Sequence, residues 1–495
     1  MMDPDRSGHL PWDFSSGDIF SINLMALTMK NLPALVAACL LMFGVTGLTG
    51  CASRPPENLS SQLEIPATFT QNGMRKVPDR WWTVFGDQNL NALIHQALQS
   101  NFTLKTAWQR LQEAQAILDR EAASLYPDLQ GVSAGEVGGS ETETREMLQL
   151  GLTSSYEMDL WGRIHSSIEA ERYRAQATRS DYHTAALTLS AEVARTWYRL
   201  AETRAQLQLF DEQKDANQTT LHLLKSRFGT GQIRAVDVLR QRQLLESTHE
   251  QRAVAESRMQ VLEHQLAVLL GRAPQKGIYS IHCSLPEIPP LPDPGLPVGL
   301  IRRRPDVASA YQQLQAADMD WSAAISSQYP RLTLTASLNT SEDNVTDLFQ
   351  NWARSFAGNL VAPLLDAGQR EAEVGRTKAL RRQRLYEYGQ AVLSAFQEVE
   401  DALIQEKKQR ERISSLEKQV RLAGEAYDRL RIEYFNGVSD FIDVLRALTE
   451  KQQLQQDLLS ARLLRLEYRI ALYRALAGGF HTLREKKNNT PEQPS

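Results

Sequence analysis

Phe228-Gly229-Thr230-Gly231-Gln232-Ile233-Arg234-Ala235-Val236-Asp237-Val238-Leu239 is answered, 206 residues later, by Tyr434-Phe435-Asn436-Gly437-Val438-Ser439-Asp440-Phe441-Ile442-Asp443-Val444-Leu445. Both passages place five residues between a Gly and the triplet Asp-Val-Leu. Other landmarks recur with the same order. Gly162 matches Gly368 and Glu192-Val193 matches Glu398-Val399, again 206 residues apart, while Tyr126-Pro127 matches Tyr329-Pro330 at an offset of 203. The chain therefore reads as an internal duplication, and whatever it builds has two similar halves.

Working outward from the two passages, each is the turn between a long helix and a returning one. Arg163 to Phe228 contains neither Pro nor Gly, and Gln369 to Tyr434 contains no Pro. Each stretch of 66 residues spans roughly 100 Å as a helix at 1.5 Å per residue. Apolar seams at coiled-coil spacing run through Val392, Phe396, Val399 and Leu403, and through Leu459, Leu463, Leu466, Ile470 and Tyr473. Shorter helical tracts, Asn101–Tyr126 with Gln232–Gly271 and Pro305–Tyr329 with Val438–Gly478, also amount to 66 residues per pair. Two short helices end to end thus match one long helix. Their junction carries the main irregular segment, Pro286 to Pro305 with seven prolines, and the stretch around Trp81-Trp82, read as a belt around a helical shaft.

Between Pro127 and Trp161, and between Pro330 and Pro363, the period changes from helical to alternating. Leu148, Leu150, Leu152, Tyr156 and Met158 fall on one face against Gln149, Thr153, Ser155 and Glu157, and Leu332, Leu334, Ala336 and Leu338 alternate with Thr333, Thr335 and Ser337. This suits barrel strands with an apolar exterior and a wet lumen, and it also suits a soluble half-buried hairpin. Tyr126, Trp161, Tyr329 and Trp352 near the strand ends resemble an interfacial girdle, and the polar tips are expected at Ser140–Thr144 and Ser341–Thr346. Four strands per chain cannot close a barrel, so strands in lipid require several chains to share one.

At the N-terminus, Leu48-Thr49-Gly50-Cys51 follows an apolar run from Ala34 to Val45, itself preceded by Lys30. That is a secretory signal ending in a lipobox, with Cys51 the lipidated first residue of the mature chain. Residues 1–28 are acidic, the wrong sign for a signal, so translation is expected to start at Met29. Cys283 is left without a disulfide partner once Cys39 is removed with the signal. The formal charge of −4 includes −2 from residues 1–50, and the nearly neutral remainder gives no reason to expect nucleic acid. The hydrophobic content of 42% excludes a largely disordered chain.

These features resemble the outer membrane factors, the TolC-like channel proteins, and within them the NodT-like lipoprotein branch that works with resistance-nodulation-division pumps. The resemblance is carried by Trp81-Trp82, by Tyr156-Glu157-Met158-Asp159-Leu160-Trp161-Gly162-Arg163, by Arg303-Arg304-Pro305-Asp306-Val307, by Pro363-Leu364-Leu365-Asp366-Ala367-Gly368 and by Phe396-x-Glu398-Val399-Glu400-Asp401-Ala402-Leu403. It covers Cys51 to Phe480. It implies a mostly α fold with a β-barrel part: a long coiled-coil tunnel and four transmembrane strands per chain, completed as a homotrimer sharing one barrel.

The organisation expected is a signal region over 1–50, a lipid-anchored and equatorial segment over 51–100 and a helix over 101–127. A first hairpin of strands covers 128–161 and a first helical hairpin 162–272, with its tip near 229–233. The Pro-rich linker is 273–304 and a further helix 305–330. The second strand hairpin is 331–365, the second helical hairpin 366–480 with its tip near 435–440, and 481–495 a disordered tail.

The resemblance also places function. It makes Gly229, Thr230, Gly231, Asn436, Gly437 and Val438 the turns where a periplasmic adaptor docks, and Asp237, Tyr434, Asp443 and Arg446 the periplasmic gate. In the best-known member of the family the positions matching Tyr434 and Asp237 form an inter-helix latch, whose basic companion is replaced here by Ser439. Partners implied are two further copies of the chain, the adaptor, an inner membrane efflux pump and outer membrane lipid. No cofactor is expected beyond the covalent lipid on Cys51. The nine His are scattered without metal spacing, and no nucleophile or phosphate-loop motif is present, so an enzyme is not expected. The leading reading is the exit duct of a tripartite efflux system. The alternatives are a duct for type I protein secretion and a lipid-anchored coiled coil without a pore.

Overall fold

The computed structural model describes residues 66–485, apart from 67, 72–76, 141, 142, 276–278, 280–284, 296, 481 and 483. The signal region, Cys51, Cys283 and most of the C-terminal tail lie outside the described residues. In chain order come a 3-10 turn at Trp81–Phe85, then α1 (Gln88–Ser100), α2 (Phe102–Ala122), β1 (Asp128–Ser140), β2 (Glu143–Met158), α3 (Arg163–Gly229) and α4 (Ala235–Leu269). They are followed by α5 (Pro297–Arg303), α6 (Pro305–Ser326), β3 (Arg331–Glu342), β4 (Ala353–Val361), α7 (Gln369–Phe435) and α8 (Phe441–Leu476). The fold is mostly helical with one small sheet.

The helices α3 and α7 have 67 residues each, and each begins after a Gly in the left-handed region, Gly162 and Gly368. An acid ahead of each Gly satisfies the first free amides: Asp159 accepts from the amides of Ile164 and His165, and Asp366 from those of Gly368 and Arg370. The seam residues Val392, Phe396, Val399, Leu403, Leu463, Leu466, Ile470 and Tyr473 are buried. No described helix is long and apolar enough to cross a membrane.

The four strands form one antiparallel meander in the order β1-β2-β3-β4. Directly opposed residues share a face of a sheet. The register therefore gathers Leu129, Leu150, Leu152, Tyr156, Met158, Leu332, Leu334, Leu338, Phe356 and Leu360 on one face. It gathers Gln130, Gln149, Thr153, Ser155, Thr333, Thr335, Ser337 and Asn359 on the other. Small residues serve close fits inside the sheet: a Cβ on Gly151 would sit 2.2 Å from Asn339 Oδ1. Both tips differ from the expectation, the first because Ser140 belongs to β1 and Glu143 and Thr144 to β2, which leaves a connection over 141–142. In the second the strand also runs further. Ser341 and Glu342 belong to β3, because Glu342 still pairs with Leu148 and accepts from Asn351 Nδ2 at 2.8 Å, so the connection runs over 343–352. At the foot of the sheet Trp161 stacks on Tyr329 with centroids 4.9 Å apart and donates to the carbonyl of Pro330 at 2.7 Å, tying the two hairpins together.

The belt is built as a core in its own right. Trp81 is fully buried, stacked on Tyr473 of α8 at 6.0 Å and edge-on to Trp82 and Phe85, while its indole donates to Ser190 of α3. Asp87 caps α1 through the amide of Leu90 and accepts from the indole of Trp197 at 2.7 Å. On the other side Phe69 and Leu300 pack with Val307 against Val392, Phe396 and Leu403 of α7. Two features of the belt were not expected: α1 is a separate helix, and α5 interrupts the Pro-rich linker.

The short helices meet end to end at two junctions. Asn101 caps α2 through the amide of Leu104, and its Nδ2 donates to the carbonyl of Leu269 at the end of α4 at 2.9 Å. In the second half Arg304 precedes α6, and its Nη1 donates to the carbonyl of Ala475 at the end of α8 at 3.3 Å. The two donors are 203 residues apart and the two acceptors 206, the same offsets that the sequence landmarks carry.

Candidate functional site at the paired helical turns

The turns after α3 and α7 are two copies of one backbone solution. Gly231 and Gly437 take φ of 73° and 74°, a region that costs L side chains energy and Gly none. The amides of Gly231 and Gln232 donate to the carbonyls of Phe228 and Arg227, and those of Gly437 and Val438 to Tyr434 and Glu433. Both are Schellman motifs, which satisfy the last helical carbonyls while reversing the chain. Gly229, Thr230 and Asn436 complete the turns, with the Thr230 hydroxyl donating back to Arg227 at 3.0 Å. No atom lies within 4 Å of a Cβ placed on Gly229, Gly231 or Gly437, and Val438 is 76% exposed. The tips thus present backbone and apolar side chains to the outside, Val438 most fully and Phe228 and Phe435 in part.

Beneath the turns the two hairpins share a small core. Leu224 of α3 is buried with Phe441 and Val444 of α8, joined by Ile233, Tyr427, Leu430 and Tyr434. Asp237 and Asp443 lie in the first turns of α4 and α8, where a negative charge faces the positive end of the helix. Their surroundings differ. Asp237 is 4% exposed and flanked by Arg234 at 3.5 Å and Arg240 at 3.9 Å, whereas Asp443 is half-buried and Arg446, one turn on, is exposed. Arg234 also reaches Asp440 of the other hairpin at 3.9 Å.

The expected latch between Tyr434 and Asp237 is not made. The Tyr434 hydroxyl and Asp237 Oδ1 are both buried without a hydrogen-bond partner. Burial raises the Tyr434 phenol above its ordinary range; Arg227 opposes this and Asp237 adds to it, so the phenol stays protonated. The contact between the hairpins is cationic instead. The Arg227 guanidinium lies over the rings of Tyr434 and Phe435, at 5.5 and 5.2 Å from their centroids. Ser439 donates to the carbonyl of Leu430 at 3.3 Å. The sequence reading missed Arg227, Arg234 and Arg240. Their signal was local for two of them, Arg234 and Arg240 standing three residues either side of Asp237, while Arg227 and Arg234 reach aromatics and an acid of the second turn.

Above the tips, polar side chains thread the interface of α3, α4 and α8. Asn217 donates to Thr248, and its Oδ1 accepts from Gln452; Gln456 donates to Gln213 and Gln251. Glu202, fully buried, is held by Gln206 and Ser460, and burial pushes its carboxyl above the usual range. A polar seam of this kind fixes the register of long helices that an all-apolar seam would leave free to slide.

A family model described as "outer membrane efflux protein" matches residues 93–272 and 296–478. Among curated proteins, the chain is similar to the pyoverdine export outer membrane protein OpmQ of Pseudomonas aeruginosa. The two are 29% identical over 477 residues, which cover 93% of this chain and 99% of OpmQ. The cation efflux system protein CusC of Escherichia coli K12 is 28% identical over 447 residues, 87% of this chain and 97% of CusC. Among solved structures, the outer-membrane channel OprN superposes with a TM-score of 0.79 at 26% identity, covering 86% of this chain and 98% of that one.

Proposed function

The chain belongs to the outer membrane efflux protein family and is an exit duct in the outer membrane; on that premise we propose that three copies assemble into one channel, joined through its tips to a periplasmic adaptor and an inner membrane pump. The observation that carries the trimer is the state of the sheet. It has two open edges, β1 and β4, and a mainly apolar face on which Leu129, Phe356 and Leu360 are all more than 60% exposed. An open edge with unpaired amides is not viable in hydrocarbon. Pairing β4 of one copy with β1 of the next removes every edge at once, and the polar face then lines a lumen. Leu364 and Leu365, 94% and 95% exposed, supply the apolar contact where strand gives way to tunnel.

The two halves descend from one duplicated unit, and lipid on Cys51 anchors the N-terminus to the inner leaflet of the outer membrane. The adaptor meets Gly229, Thr230, Gly231, Asn436, Gly437 and Val438, where bare backbone permits close approach. The gate is closed by Arg227 over Tyr434 and by Arg234 and Arg240 around Asp237, with Asp443 and Arg446 nearer the opening. Relatives named for pyoverdine export and for cation efflux share this framework, so the framework itself does not select the cargo. Planar-bilayer conductance of the detergent-purified protein, with its oligomeric mass measured in the same preparation, tests this. Trimers with small discrete current steps, enlarged by Arg227→Ala, are expected. Monomers without conductance would remove the shared barrel, and steps unchanged by Arg227→Ala would remove the cationic gate.

A further inference from the structure

A cleft of about 190 Å³ opens between the belt and the shaft, walled by Pro289, Pro290 and Leu291 on one side and by α7 and α8 on the other. Among the described residues four cations line it, Lys407, Arg410, Arg465 and Arg469, against one lining carboxylate, Glu406. That carboxylate is already spent. Both its oxygens accept from the buried Arg469, whose remaining nitrogen donates to the carbonyls of Pro289 and Pro290. Arg465 is left at 4.0 Å from Glu406, and its Nε is buried without a hydrogen-bond partner. Burial pushes the Arg465 guanidinium down; Glu406 opposes this, and Arg469 and Arg410 press the same way as burial.

Cations outnumber carboxylates here: Lys407 and Arg410 share the neighbouring Glu411 with Lys408, and Arg465 lies 4.0 Å from a Glu406 already gripped by Arg469. That excess, with an orphaned donor in the wall, calls for an anion. We propose that this cleft binds a small multivalent oxyanion of the phosphate type, which neutralises Arg410, Arg465 and Lys407 and staples the belt to the shaft. Its size suits an inorganic oxyanion rather than a drug-sized molecule, for which pockets run from about 300 Å³ upward. A lipid headgroup is excluded by position: Glu406 lies 37 residues into α7 from Gln369, roughly 55 Å along the helix from the strands.

The test is equilibrium dialysis of labelled inorganic phosphate against the detergent-purified full chain, with potassium chloride holding ionic strength constant. One saturable phosphate per chain is expected, weakened about tenfold or more by Arg410→Gln and by Lys407→Gln. Both side chains are exposed, so these variants are expected to fold. Arg421→Gln, an exposed position elsewhere on α7, should bind like wild type. Non-saturable uptake, or equal binding by wild type and both variants, would overturn the proposal. So would a loss of trimers in Arg410→Gln without any phosphate binding by wild type, which would make the cluster a contact between copies.

Discussion

The two end-to-end junctions solve one problem with different chemistry. In each half a short helix starts where the returning helix stops, and a side chain must cross the gap to a carbonyl that has no helical partner. The first half uses a neutral amide: Asn101 caps its own helix and donates to Leu269. The second uses a guanidinium: Arg304 donates to Ala475, grips Asp306 through Nε at 3.0 Å and Nη2 at 2.6 Å, and reaches Glu398 at 2.8 Å. The difference propagates. Glu398 is held by Arg304 and Arg474, while its counterpart Glu192, 206 residues earlier, turns to Arg195 on its own helix, having no cation to neutralise across the gap. What the halves keep is the donor at that place in space; the residue type is free once its charge is balanced.

If so, the second junction is the more fragile, because removing its donor also strands charge. Arg304→Met leaves Asp306 and a buried carbonyl without their side-chain partner and Glu398 with Arg474 alone, and it should cost about 3 kcal/mol of stability. Arg304→Asn, which copies the first junction, should do no better, since the carboxylates remain. A lowered unfolding midpoint in both variants is expected; recovery in Arg304→Asn would show that charge plays no part.

Asn101→Ala should cost less, about 2 kcal/mol, combining a lost cap with an unsatisfied carbonyl. The neighbouring glycines sharpen the contrast. A Cβ on Gly271, at φ +69°, would lie 2.5 Å from the backbone oxygen of Ser100, whereas one on Gly478 would crowd Arg303 Cγ at 2.7 Å, part of a side chain that can move, with the backbone oxygen at an ordinary 3.4 Å. Gly271→Ala is therefore expected to cost about 2 kcal/mol, from left-handed strain and a backbone clash, and Gly478→Ala about half that or less. Equal midpoint shifts for the two would mean that the junctions are equally packed and that only their polar groups differ.

Acid should separate the halves as well. Burial raises the Asp306 carboxyl, but the Arg304 guanidinium more than offsets this and holds it below its ordinary value of 3.8. A carboxyl depressed in the folded state contributes stability that is present above the unfolded value and lost as pH falls through the folded one. Below pH 3.8 the second junction should therefore loosen while the uncharged Asn101 junction stays shut. Hydrogen-exchange protection, corrected for intrinsic rate, should drop as pH falls below 3.8 around 300–310 and 470–478 but not around 98–106 and 264–272. Equal loss in both would sink the distinction.

How much of this was legible beforehand depends on the range of the interaction. The long helices, the sheet's alternation and the turns follow from local signals, such as a run without Pro or Gly and a Gly where φ must be positive, so sequence carries them. The junctions do not. Asn101 resembles any N-cap, and its bond to Leu269 crosses 168 residues. Arg304 stood out within Arg-Arg-Pro-Asp, yet only folding brings Glu398 and Ala475 to it. The belt helix α5 was hidden for another reason: its prolines read as chain breakers, although Pro297 stands at the first helical position, where its missing amide costs nothing. At the tips, Asp237 and Tyr434 were found by position, but the cations beside them were not: Arg234 and Arg240 flank Asp237 on its own hairpin, and Arg227 reaches Tyr434 from the other one.

The smallest effect belongs to Tyr434, and it tests whether the tips, like the junctions, have diverged in chemistry while keeping their geometry. The position 206 residues earlier is Phe228, so Tyr434→Phe makes the second turn resemble the first. A latch carried by the phenol would open on this change, and conductance would rise. The geometry points the other way. The hydroxyl has no partner to lose, the ring beneath Arg227 is retained, and a buried hydroxyl without a hydrogen bond is a cost that Phe removes. Unitary conductance in planar bilayers should therefore stay at the wild-type value, and the unfolding midpoint should hold or rise slightly. Arg227→Ala leaves Tyr434 in place and removes the cation that bridges the hairpins, so it should enlarge the current steps. If the order is reversed, with Tyr434→Phe opening the channel and Arg227→Ala leaving it shut, the phenol is the latch and the cationic contact is incidental.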